Sequence, residues 1–537
     1  MKRRFLLFLL LLPLFLGACS TALIPSAHAP AASVRAAVPD RMENLRKNWE
    51  KLWRNDVPDE EKKAALRAYN ADLLTMIRLW RYDVTERNSP PDYIEIEYAK
   101  GFSLRDITEV YDDVVPSVDV KARTLSKHYT NPGLGVPMAG VIPAEAVELT
   151  DQHFHVKTRG TVSNLTAVLE FPKVGKPKLH FLLRQRQEEY RYAGYSIPLT
   201  ANFSAPMELY WDLTRLNKDR YLGLLRPQKL RDTTGLSTME SYAPNKIPVV
   251  LTHGLASSAG TFDELVNRLT ADPDIRRRYQ FWYFNYPSGL AWTRTARMCR
   301  EAIADARNRL DPQHRNKNWD NMVIMGHSMG GVITHYNQCV DPQKMLEVME
   351  EDMPALKEAE TQEKALAMLG GLRGDYDFKP VKAGMVVYMA APHRGSPIAA
   401  FSITSLITSL VELPKNLLDE VVNVATLQED MLIANPERLT EWFTSIKQLS
   451  PRGYSIRGLQ RLQVQGGVET HSVIGNQGSS RPLEKTSDGV VPYWSSHVNW
   501  GTEDIVDSGH NVQDQEETAE ILIRFLKAYA AKHPEKS

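Results

Sequence analysis

Asn321-Met322-Val323-Ile324-Met325-Gly326-His327-Ser328-Met329-Gly330-Gly331-Val332-Ile333 is the stretch on which the fold reading turns. It opens with an apolar, strand-like run, closes with the start of a helix-compatible run, and carries Gly-x-Ser-x-Gly between them. A serine on a strained turn between strand and helix needs small residues two before and two after it, because a Cβ there would strike the neighbouring elements. Gly326, Gly330 and Gly331 meet that need. Strand, tight turn and helix in succession are the unit of a mainly parallel sheet covered by helices. Ser328 is the candidate nucleophile of that turn.

The sequence on either side repeats the unit. From Lys246 onward, apolar runs at 247 to 251, 281 to 286, 322 to 325, 383 to 388, 472 to 474 and 504 to 507 alternate with helical stretches, and a last helix is predicted at about 515 to 531. Asp514 and Glu517 stand three apart at its start, as a cap and its N3 partner would.

A serine hydroxyl is a poor nucleophile at neutral pH and requires a histidine base oriented by a carboxylate. In the chain order serine, acid, histidine, the base belongs after the last strand, where Ser508-Gly509-His510 stands. His510 is the expected base. His497 is its rival, but it precedes that strand. Asp488, in the polar loop Ser487-Asp488-Gly489-Val490-Val491-Pro492, is the expected acid, ahead of Asp507, which lies too close to His510 along the chain, and Glu484. An oxyanion requires two backbone N–H donors. Met329 supplies one, and Leu255 in His253-Gly254-Leu255 the other, with His253 bracing the loop.

These segments, together with Ala391-Pro392-His393-Arg394-Gly395-Ser396, resemble the α/β-hydrolase superfamily in its bacterial lipase and carboxylesterase branch, over roughly residues 240 to 535. The resemblance implies Ser328 as nucleophile, Asp488 as acid, His510 as base, and oxyanion donors at Leu255 and Met329. It implies an α/β-hydrolase fold, a mainly parallel sheet flanked by helices; helical cap insertions and a smaller mixed α+β N-terminal domain, which lies outside the resemblance, are expected from the chain's own spacing. The expected activity is hydrolysis of carboxylic esters of lipids or other apolar acyl groups through an acyl-enzyme. An acyltransferase, thioesterase or phospholipase would keep the same triad, and a non-catalytic binding lipoprotein is the reading of a different class.

Composition narrows the alternatives. Across 537 residues Lys+Arg and Asp+Glu are 65 each, 24% are charged and 43% hydrophobic, which suits a globular chain and gives no basic footprint for nucleic acid. Three cysteines exclude a disulfide scaffold, and no CxxC or HExxH spacing is present, so no metal and no cofactor are expected. Lys2-Arg3-Arg4 followed by twelve apolar residues, Phe5 to Leu16, has the plan of an export signal and is too short to span a bilayer. Leu16-Gly17-Ala18-Cys19 resembles a lipoprotein lipobox, with Cys19 acylated after removal of residues 1–18, and Ser20 after it favours the outer membrane.

The expected organisation is then a signal peptide at 1–18, a flexible Ala/Pro/Ser tether at 19–40, an N-terminal mixed domain at 41–240 and a catalytic domain at 241–537. Two helices are predicted within 41 to 82, and short strands between 162 and 207. Cys299 and Cys339, on neighbouring helical stretches of an exported chain, are candidates for a disulfide. About seventy-five residues separate Ser396 from the strand at Ser472, far beyond the ~2 to 6 of an ordinary connection, so a cap insertion is placed at about 397–465. Within it Ile403, Leu406, Ile407, Leu410 and Val411 recur at helical spacing, opposite a face of hydroxyl residues, as either a lid helix or a helix buried between cap and core would.

Overall fold

The structure is a computed structural model that describes residues 26–89, 91–98, 113–142, 161–214, 234–240, 242–352, 374–397, 445–478 and 482–534. Cys19 and the lid segment 403–411 lie outside the described residues.

The C-terminal half is built on a seven-stranded sheet. Its strands are β6 (Gly235–Thr238), β7 (Ile247–Thr252), β8 (Tyr279–Asn285), β9 (Val323–His327), β10 (Met385–Met389), β11 (Glu469–Gly475) and β12 (Thr502–Val506). Their order is β6-β8-β7-β9-β10-β11-β12, with β6 antiparallel to β8 and every other pair parallel. One antiparallel edge strand, one strand exchange and then a parallel run is the α/β-hydrolase fold. The central strands β7, β9 and β10 are mostly apolar because both faces are covered, whereas the edge strands β6 (Gly-Leu-Ser-Thr) and β12 (Thr-Glu-Asp-Ile-Val) carry polar residues. Val250, Trp282, Ile324 and Val386 point into one core, under helices α6 (Trp292–Leu310) and α7 (Met329–Tyr336). Val249, Phe281, Val323 and Val387 point into the other, under α5 (Asp263–Ala271) and α8 (Glu516–Lys532). Odd and even residues part company in this way because successive side chains of a strand leave opposite faces.

The N-terminal region carries α1 (Ala32–Ala36), α2 (Val38–Leu52) and α3 (Asp59–Thr85). They pack on a second sheet of β1 (Glu95–Tyr98), β2 (Asp113–Pro116), β3 (Val136–Ile142), β4 (Thr161–Glu170) and β5 (Lys178–Leu183), in the order β1-β5-β4-β3-β2. Leu45, Trp49, Tyr69, Leu73 and Ile77 line the helix side of this core. Helix α4 (Ser204–Thr214) is the seam to the C-terminal half: Trp211 meets Tyr283 of β8 edge-on at 5.2 Å, and Met207 and Tyr210 share a core with Val249 and Leu251. The buried Glu208 carboxylate at this seam accepts backbone N–H groups of Arg123, Thr124 and Leu125, which makes its burial tolerable.

Several expectations are corrected. The tether does not extend to residue 40, since α1 and the start of α2 occupy part of it and Arg35 pairs with Asp83 of α3. The boundary at 240 falls too late, because β6 at 235–238 is an edge strand of the seven-stranded sheet. The last part of the expected cap belongs to the body: Leu449, Tyr454, Ile456, Leu459 and Leu462 pack into the core under α6 and α7. Asp514 does not cap α8, whose N-cap is Gln515; Asp514 ends a 3-10 turn one residue earlier. Cys299 and Cys339 form no disulfide, and both are buried free thiols. Burial pushes the Cys299 thiol up to about 12 and raises Cys339 likewise, so both stay protonated and behave as apolar core groups. Among the described residues no helix is long and apolar enough to cross a membrane.

Candidate functional site

Ser328 stands between β9 and α7, as the helix's N-cap, with φ 55° and ψ −124°, a conformation that a side-chain-bearing residue adopts only under constraint. The glycines supply the constraint. A Cβ on Gly326 would stand 2.3 Å from Gly330 O, one on Gly330 2.0 Å from Thr252 O, and one on Gly331 2.3 Å from the Ala391 Cβ. Helix and sheet therefore approach more closely than any larger residue permits. The Ser328 N–H is held by Met389 O on the adjacent strand at 2.9 Å.

The loops after β11 and β12 converge on that serine. His510 Nε2 lies 2.9 Å from Ser328 Oγ, and His510 Nδ1 lies 2.7 Å from Asp488 Oδ2. The buried Asp488 takes two further hydrogen bonds at Oδ1, from the N–H of Val490 at 2.8 Å and of Val491 at 2.6 Å. A carboxylate so placed is an acceptor, so the imidazole proton sits on Nδ1 and the Nε2 lone pair faces the hydroxyl. That is the tautomer a base for Ser328 requires.

The loop after β7 passes directly over the serine: a Cβ on Gly254 would come within 2.9 Å of the Ser328 Cβ. Leu255 follows, then Ala256 at φ 50°, whose N–H is held by the Ser288 hydroxyl at 3.1 Å. Among the described residues neither the Leu255 N–H nor the Met329 N–H has a hydrogen-bond partner. His253 stacks face to face on Tyr286 at 4.0 Å and donates from Nδ1 to Gly254 O at 3.0 Å. Burial pushes it down to about 4, so it is a neutral brace.

Sequence reasoning passed over His327. Its Nε2–H donates to the backbone carbonyl of His510 at 2.9 Å, and burial with the nearby His510 ring pushes it down to about 3. Nothing in Gly-x-Ser-x-Gly signals that role, because the contact is 183 residues distant in sequence. His497 is engaged elsewhere, with Nδ1 2.8 Å from Glu503 Oε2. Asp507 and Glu484 are exposed, and among the described residues neither is bonded to an imidazole. Among the described residues no group of His, Cys, Asp and Glu could hold a metal ion.

No family model matches the chain, and no curated protein matches it. Among solved structures it is similar to the mature lipase BlEst2 of Bacillus licheniformis, at 12% identity over 53% of this chain and 93% of that one, with a TM-score of 0.31. It is similar also to the metagenomic carboxyl esterase MGS0156, at 16% identity over 54% of this chain and 77% of that one, TM-score 0.29. A third is the lin2722 gene product of Listeria innocua, at 14% identity over 52% and 94%, TM-score 0.29. The chemistry open to this chain follows from its own side chains.

Proposed function

We propose that this chain is a serine hydrolase that cleaves carboxylic esters of apolar acyl groups through an acyl-enzyme. The observation that carries the reading is the continuous hydrogen-bonded line from Ser328 Oγ through His510 to Asp488, on a strained turn where the Leu255 N–H of the overlying loop and the Met329 N–H at the start of α7 have no hydrogen-bond partner among the described residues. His510 Nε2 accepts the hydroxyl proton as Ser328 Oγ attacks the ester carbonyl. The N–H groups of Leu255 and Met329 stabilise the tetrahedral oxyanion, and Asp488 stabilises the imidazolium. The alkoxide leaves with the Nε2 proton. Water then enters, gives its proton to Nε2 and attacks the acyl carbonyl, and collapse releases the acid and restores the Ser328 hydroxyl.

A fluorophosphonate probe tests the assignment. It should modify Ser328 in the native chain and leave Ser328→Ala unmodified; an unmodified native chain refutes the hydrolase reading. We further propose that Cys19 carries a lipid that holds the enzyme at the outer membrane, supported by the lipobox-like Leu16-Gly17-Ala18-Cys19. Cys19→Ser should move the protein from the membrane fraction to the soluble one with esterase activity kept. Retention in the membrane pellet after a carbonate wash would refute the anchor.

A further inference from the structure

The turn Ala391-Pro392-His393-Arg394-Gly395-Ser396 follows β10 and takes no part in the proton relay, yet its bonds run in two directions. Towards the nucleophile, Met389 O at the end of β10 holds the Ser328 N–H, and the buried His393 Nδ1 meets His335 Nδ1 of α7 at 3.1 Å. Ala391 sits against Gly331, the third residue of α7. Towards the acid, Ser396 Oγ–H donates to Val490 O at 2.7 Å, and Arg394 Nη1 donates to Trp494 O at 2.8 Å and His497 O at 2.5 Å. Ser495 Oγ closes the contact, accepting from Arg394 N at 3.1 Å and donating to Gly395 O at 2.6 Å.

The Ser396 bond falls on a particular amide. The Val490 carbonyl and the Val491 N–H belong to one peptide unit, and that N–H donates to Asp488 Oδ1 at 2.6 Å. A hydroxyl donating to the carbonyl of an amide polarises the N–H at its other end, so Ser396 both locates and strengthens a bond to the carboxylate. Asp488 lies in a loop beyond β11, and a shift of about 1 Å in a catalytic group can cost about 100-fold in rate. We propose that Ser396 and Arg394 are positioning residues: the turn carries the location of the nucleophile helix across to the acid loop and fixes Asp488 against His510. The proposal rests on Ser328, His510 and Asp488 acting as a triad.

The test is a double-mutant cycle in the full chain, read as kcat and KM on a soluble p-nitrophenyl ester. Ser396→Ala should lower kcat by about 10- to 100-fold with KM little changed, and Ser396→Thr, which keeps the hydroxyl, should restore most of the loss. In an Asp488→Asn background Ser396→Ala should cost less than about 2-fold, because a disabled acid has no placement left to lose. An equal loss in both backgrounds, or none in the native background, overturns the proposal. Should Ser396→Ala fail to fold, Arg394→Gln carries the same comparison from a half-buried position. Failure of the triad reading is distinguishable, since it shows earlier as absence of fluorophosphonate labelling at Ser328 in the native chain.

Discussion

His510 and His497 stand thirteen residues apart, each with a carboxylate within 2.8 Å of Nδ1, so proximity to an acid does not distinguish them. What distinguishes them is Nε2: only His510 presents it to a serine hydroxyl, at 2.9 Å. His497→Ala should therefore leave esterase activity within about threefold, while Asp488→Asn should lower kcat by about 10⁴, because an amide in place of the carboxylate favours the wrong imidazole tautomer. Steady-state kinetics on a soluble ester decides it, and the reverse ranking would move the base. The two core cysteines offer a second check at this scale. As protonated thiols 1% and 0% exposed, Cys299 and Cys339 should resist a maleimide in the folded chain and react fully in denaturant without a reductant. Protection that survives denaturation and yields only to a reductant would show a disulfide.

At the scale of the element, the glycine spacing dictates how α7 rests on the sheet. Gly330→Ala places a Cβ 2.0 Å from the Thr252 carbonyl, a backbone atom that cannot step aside, so β7 and α7 must separate. That should cost roughly 1–3 kcal/mol and lower the melting temperature together with activity. Gly466→Ala, with open space around it, should change neither by more than about 0.5 kcal/mol. The same spacing is why this part of the fold was legible: small residues at fixed offsets from Ser328, and apolar runs buried on both faces, are local signals. Other elements left none. β6 is four residues, Gly-Leu-Ser-Thr, and becomes a strand only by pairing with Trp282–Asn285. The helices Ser445–Gln448 and Tyr454–Leu459 are too short to show a period, so their place in the core could not be read from residue spacing. Likewise Ser487 to Pro492 announced an acid loop, whereas the partners of Ser396 and Arg394 lie some hundred residues further along the chain.

Over the whole molecule, the packing that seals the sheet also sets its response to acid. Among the described residues five histidines are buried and held below their ordinary value: burial pushes His253 down to about 4 and His327 and His335 down to about 3, places His393 well below, and lowers His471. Above about pH 6.5, their unfolded value, they are neutral in both states and cost nothing. As the pH falls from 6.5 towards 3, the unfolded chain takes up protons that the folded chain refuses, so stability is lost across that window. Asp263, which burial pushes up to about 7, works in the opposite sense, since folding favours its protonated form between about pH 7 and 4. Asp514, pushed up to about 6, adds to that, but its exposed position lets solvent weaken the effect. Burial raises the Glu240 and Asp375 carboxyls too, so four carboxyls oppose the five imidazoles and the net loss on acidification is smaller than the rings alone would give. Urea midpoints measured from pH 7.5 to pH 5 should fall accordingly, and His335→Gln, which removes one ring from the count, should flatten the slope by about one proton. Midpoints that stay level between pH 7 and pH 5 would mean that the folded chain admits the charged rings, and that the close packing around α7 opens to water without unfolding.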